Sequence, residues 1–183
     1  MFRTLKERFI TLTVMFALAS LMTIIAMALF GVSRIAFATL SGVVIGVRTS
    51  LGMSIAAFIL AIIAFVFVLI IYLLYNRIMA KRTEDFSRFR HTKASQIFVL
   101  VALICYAVAA VTAILYFVMV AIVHNNNSST ISWETVRAFS IVFEIFFWIG
   151  IVIGWLFIIL YYVFFCIIVD NITRYRRAQA RKK

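Results

Sequence analysis

A lone acidic residue, Glu144, stands in the long apolar run between Ala138 and Val169. A carboxylate within lipid is costly and by default marks a functional site, here one for a proton or a cation. The competing reading is an interfacial glutamate paired with Arg34, Arg48 or Arg137. Depth favours the pair. A helix crosses the bilayer core in about 20 residues, and that count taken back from Val169 puts Gly150 at the outer edge. Glu144 then falls in the headgroup layer.

Gly150 and Gly154 form a GxxxG pair among Phe146, Phe147, Trp148 and Trp155. Glycines at this spacing let helix backbones approach closely. Cys105, Ala109 and Ala113, or Ala57 and Ala61, offer facing grooves. Packing within one bundle is expected ahead of a homo-oligomer contact. Both cysteines, Cys105 and Cys166, fall in apolar runs, so neither can staple an exposed loop. Cys166 lies near a helix end, where reversible palmitoylation is an option, although a structural thiol is the simpler expectation.

Other chemistry is sparse. The chain has no HExxH, CxxC, GxGxxG, P-loop or GxSxG motif. His91 and His124 fall on opposite sides of the membrane in the topology below and cannot share a metal. Neither catalysis nor a cofactor or metal is expected. Thr13, Ser20 and Met27 share one face of the first run, and Thr112 and Tyr116 one face of the third, too few for a water-filled pathway.

The elements that carry these residues follow from composition. Of 183 residues, 66% are hydrophobic, 13% are charged and none is proline, and the mean hydropathy is +1.15. Soluble domains are about half apolar and about a quarter charged. The apolar content also excludes disorder. Four runs are long enough to span: about 9–30, 54–75, 97–123 and 138–169. Continuous runs of this length are not the alternating pattern of a membrane barrel. The expected fold is therefore an all-α integral membrane protein, a four-transmembrane-helix up-down bundle with short loops and one domain over 1–183. The basic start and Ala26-Met27-Ala28 fit a cleavable leader, but the apolar run is too long for one. Between the first two runs, Arg34, Ser41 and Arg48 recur every seven residues. Residues 34–48 are expected as an interfacial helix or an extension of the first span, with a re-entrant loop the lesser alternative.

Orientation comes from lysine and arginine. Fifteen of the 18 lie before the first run, between the second and third, or after the fourth; only Arg34, Arg48 and Arg137 lie on the other side. The positive-inside rule then places both termini in the cytoplasm, or on the equivalent side of an organelle. Tyr72, Tyr75, Tyr161 and Tyr162 near the inner ends, and Trp133 near an outer one, suit interfacial anchors. Outside, Asn126 and Asn127 head two overlapping glycosylation sequons close to the membrane, where a plain polar turn is an equal reading. Inside, Lys81 with Asp85 and Glu84 with Arg88 are spaced for helical ion pairs.

The tail 170–183 carries Arg174, Arg176, Arg177, Arg181, Lys182 and Lys183. Each such charge near an anionic leaflet is worth about 1 kcal/mol, so the expected partners are membrane lipids, anionic on the cytoplasmic side. A homo-oligomer or a larger membrane complex is a further expectation. Nucleic acid is not, because the charge follows the membrane sides and no aromatic platform accompanies it.

This layout resembles that of small tetraspan families such as the MARVEL-type proteins. The resemblance is one of size, span number and loop length across the whole chain. A claudin would carry cysteines and a tryptophan-rich signature in its first outer segment; a tetraspanin would carry a large cysteine-rich second loop. The expected function is non-enzymatic: organising the membrane, or serving as an accessory subunit, through helix packing and acidic-lipid contact. The alternative is a small channel or transporter with Glu144 in its pathway.

Overall fold

A chain without proline and with six glycines has little to interrupt a helix, and in lipid a helix pairs every backbone group within its own segment. The computed structural model describes residues 2–40, 44–80, 91–125 and 133–180, and all of them are helical. The helices are α1 (Phe2–Leu40), α2 (Val44–Ala80), α3 (His91–Asn125) and α4 (Trp133–Ala180). Side chains are described over 9–35, 52–79, 92–119 and most of 138–178. Each helix contains an apolar stretch long enough to cross a bilayer: Phe9–Ile35, Gly52–Met79, Thr92–Met119 and Ile141–Tyr175. The protein is an integral, multi-pass membrane protein with an up-down four-helix bundle. One end of the bundle carries the start of α1 and the end of α4 (the terminal end); the other is the far end.

The helices outrun the membrane. With 48 residues, α4 is about 72 Å long at 1.5 Å per residue, against a core of about 30 Å. It therefore projects from the bilayer.

The interior follows a seven-residue repeat. On α1, Leu12, Ala19, Ala26 and Ser33 are buried, as are Thr23 and Phe30 in the alternate register. On α2 the buried series is Ser54, Ala57, Ala61, Ala64, Val68, Ile71, Tyr75 and Ile78; on α3 it is Thr92, Ser95, Val99, Ala102, Tyr106, Ala109 and Ala113. The matching positions on α4 are Phe147, Ile151, Gly154, Ile158, Tyr161, Phe165 and Ile168. Alternating steps of three and four are the spacing of a left-handed coiled coil. The closest backbone packing joins α1 to α2 and α3 to α4, with α2 and α3 next. The α1–α4 seam is closed mainly by long side chains.

Of the two readings of residues 34–48, the described residues fit the extension of the first span and not one interfacial helix: α1 continues to Leu40 and α2 begins at Val44, so Arg34 and Arg48 lie on different helices. The two helices pack antiparallel along their length, so Arg34 and Arg48 do not form one stripe. Thr13 lies on the outer side of α1. It is exposed, and its hydroxyl donates to the Phe9 carbonyl at 3.0 Å. The proposed helical pairs of Lys81 and Glu84 lie outside the described residues.

Candidate functional site

The α1–α4 seam sets the position of the acidic residue. Phe16 stacks on Tyr162 with ring centroids 4.1 Å apart. Two heptads further along α1, and two back along α4, Phe30 meets Trp148 edge-on at 5.5 Å. One more turn in each direction brings Arg34 to Glu144, and the two form an ion pair. The pair sits toward the far end of the bundle, one turn beyond the Phe30–Trp148 contact. The Arg34 side chain is 38% exposed and that of Glu144 only 17%. The acid is thus the more enclosed partner.

Beneath the pair lies an aromatic plug. The Arg34 guanidinium carbon is 5.2 Å from the Phe30 ring centroid, within cation–π range. Phe30 packs on Phe58 at 5.4 Å and on Phe147 at 5.1 Å, and Phe58 meets Phe147 nearly perpendicular at 4.7 Å. Tyr116 of α3 packs on Phe58 at 5.0 Å, so all four helices contribute a ring. Beside the plug, the hydroxyls of Ser33 and Ser54 join α1 to α2 at 2.9 Å, and the Ser33 hydroxyl lies 2.8 Å from the Phe30 carbonyl. Chemically, this arrangement neutralises a carboxylate and seats it on a closed ring cluster.

A second polar contact lies near mid-bundle. Thr23 donates to the Ala19 carbonyl at 2.7 Å and meets the Tyr106 hydroxyl at 2.6 Å, joining α1 to α3 across the core. Both groups are satisfied in a place that water does not reach. An interhelical hydrogen bond in a membrane is worth about 0.6–2 kcal/mol. Thr23→Val and Tyr106→Phe should each cost about 1 kcal/mol, and the double variant little more than either. A titration of unfolding by SDS reads this directly; additive losses would show that the two hydroxyls do not interact. Nothing in the sequence reading singled out this pair, although both residues occupy core positions of the heptad.

The glycine pair faces α3. A Cβ on Gly150 would stand 2.7 Å from the Cys105 carbonyl oxygen and 3.0 Å from the Ala109 nitrogen. A Cβ on Gly154 would stand 2.9 Å from the Tyr106 ring. Both glycines therefore serve packing within the bundle, against the small α3 residues noted from sequence. The Thr112 hydroxyl turns back to its own helix, to the Val108 and Ala109 carbonyls at 2.9 Å each.

At the terminal end, α4 continues past Val169, where its uncharged run stops, with Arg174 and Arg177 exposed. Asp170 pairs with Arg174 at 2.9 Å, both well exposed, a geometry that contributes little to stability. Cys166 is exposed on the outer surface of α4 and Cys105 is half-buried. The side chain of Arg176, together with Arg181, Lys182, Lys183, Asn126 and Asn127, lies outside what the structure describes. Among the described residues, no group of three or more His, Cys, Asp or Glu side chains could hold a metal ion. No family model matches the chain, and neither does any curated protein or solved structure at a significant level.

Proposed function

We propose that this is a non-enzymatic membrane protein that organises the surrounding bilayer, or serves as an accessory subunit, through its apolar outer surface and an anionic-lipid contact at the terminal end. The observation that carries this reading is the continuation of α4 as a helix to Ala180, which holds Arg174 and Arg177 exposed beyond the uncharged run that ends at Val169. Arg77 on α2 and Lys93 on α3 are also exposed near that end. Around the bundle, large side chains such as Ile10, Leu73, Ile104 and Leu156 are about half exposed, as lipid-facing residues should be. The positive-inside distribution assigns the terminal end to the cytoplasm, where anionic lipids concentrate.

The test is lipid selectivity in nanodiscs. With Arg174, Arg176, Arg177, Arg181, Lys182 and Lys183 replaced by Gln, enrichment of phosphatidylserine over phosphatidylcholine around the protein should fall several-fold. The wild-type preference should weaken as salt rises, because exposed charges are screened. Equal enrichment in both proteins would remove the lipid role of the tail.

The channel alternative keeps one observation in its favour, an acid within an apolar stretch. Weighing against it are the Arg34 partner and the ring cluster beneath. It is distinguished by ion flux in reconstituted vesicles. Loss of a wild-type flux on Glu144→Gln would replace the organising reading with the channel one.

A further inference from the structure

Three helices bring hydroxyl groups together in the core at the terminal end. Tyr161 of α4 is 1% exposed, and its hydroxyl has no hydrogen-bond partner. Its ring meets the Tyr75 ring of α2 edge-on, with centroids 5.3 Å apart. The Tyr75 hydroxyl donates to the Thr92 carbonyl of α3 at 3.4 Å, which is long for such a bond. Ser95, almost one turn on from Thr92, is fully buried; its Oγ lies beside the Tyr75 hydroxyl but completes no hydrogen bond.

In lipid no solvent relieves an unmade hydrogen bond. Thr23 with Tyr106 and Ser33 with Ser54 show buried hydroxyls of this chain closing on one another, while Ser20 on α1 is a single buried hydroxyl without a partner. Two unpaired hydroxyls and one stretched bond in the same place therefore indicate a missing partner. A buried water needs two to four polar contacts, and it is the usual partner of such groups. The position gives it a route. Tyr75 is two residues before Arg77 and Ser95 two after Lys93, and both cations are exposed, so Tyr75 and Ser95 lie near the end of the apolar surface of α2 and α3.

We propose that Tyr75, Ser95 and Tyr161 form a binding site for a small protic ligand, water, drawn from the aqueous phase at the terminal end. The bound water accepts from one hydroxyl and donates to another, and so ties α2, α3 and α4 together where their apolar contacts end. Tyr106 is the built-in control, a buried tyrosine whose hydroxyl is already paired within the protein.

Hydroxyl-radical footprinting tests the site, because radiolysis of a bound water modifies the side chain beside it even when that side chain is buried. In wild-type protein in nanodiscs, Tyr161 should be modified several-fold faster than Tyr106 and Phe147, which are equally buried. Modification of Tyr161 at the Tyr106 rate overturns the proposal. As a second readout, Tyr161→Phe removes one of the contacts of the water and should lower the midpoint of unfolding. If the hydroxyl stands dry, the same variant relieves an unpaired group and raises the midpoint, which also overturns it.

Discussion

Replacing Gly150 by leucine will prise α4 from α3 and leave little folded bundle in mild detergent. The first added carbon already conflicts, because it would stand 2.7 Å from the Cys105 carbonyl oxygen and 3.1 Å from the Ala109 Cβ. Backbone is the obstacle, so no rotamer change relieves it; the two helices must separate. Overpacking of this kind costs about 1–3 kcal/mol and sometimes more. Gly150→Ala should sit within that range, and Gly150→Leu beyond it. Gly154→Ala should cost less than Gly150→Ala, since the obstacle is the edge of the Tyr106 ring. That ring is held by Thr23, so its room to yield is small. Gly31 and Gly52 supply the contrast. Nothing lies within 4 Å of a Cβ on either, and alanine there should be neutral or gain up to about 1 kcal/mol from helix propensity. Unfolding midpoints in SDS for the four alanine variants test the ranking. If Gly150→Ala proves as silent as Gly31→Ala, the α3–α4 contact is not the one described.

The second large effect concerns the charge pair. Arg34→Met leaves the Glu144 carboxylate, 17% exposed, at the edge of lipid with its cation gone. Breaking a fully buried pair costs about 3–5 kcal/mol. Arg34 is 38% exposed, so about 2 kcal/mol is the better expectation here. The loss arises chiefly from the acid left behind, not from the attraction removed. Arg34→Met combined with Glu144→Leu should therefore recover most of the stability, and Glu144→Gln alone should be milder than Arg34→Met. A double-mutant cycle measures this coupling directly. Independent, additive losses would mean that the ion pair does not organise the α1–α4 seam. The same cycle bears on function, because a transport role would show as lost flux in Glu144→Gln even where stability is kept.

Much of the architecture was legible before any coordinates. Four apolar runs, the absence of proline and the grouping of lysine and arginine lead to four helices with the termini at one end. The depth count from Val169 favoured an interfacial Glu144 paired with an arginine, and the structure pairs it with Arg34. The packing role of Gly150 and Gly154 was also open to reading, including the Cys105 and Ala109 groove. Which arginine would meet Glu144 was not. Arg34, Arg48 and Arg137 all fit the sidedness, and only the α1–α4 register separates them.

The faces of the helices were the harder problem. In a soluble bundle, polar residues mark the outside and the core stands out by contrast. Lipid removes that contrast, since Ile104 on the surface and Val99 in the core are equally apolar. Thr13, Ser20 and Met27 share a face of α1, but it is not the core face, since Thr13 is exposed and the other two are half-buried. The surviving signal is size and polarity at heptad spacing, as in Leu12, Ala19, Ala26 and Ser33, and it has meaning only once neighbouring helices are in place. Composition and charge order along the chain settle how a helix meets a membrane, because crossing lipid is a property of each segment with its solvent. The ring plug, the Thr23–Tyr106 bond and the unpaired Tyr161 hydroxyl belong to the assembled bundle, because each depends on side chains from different helices meeting at one level.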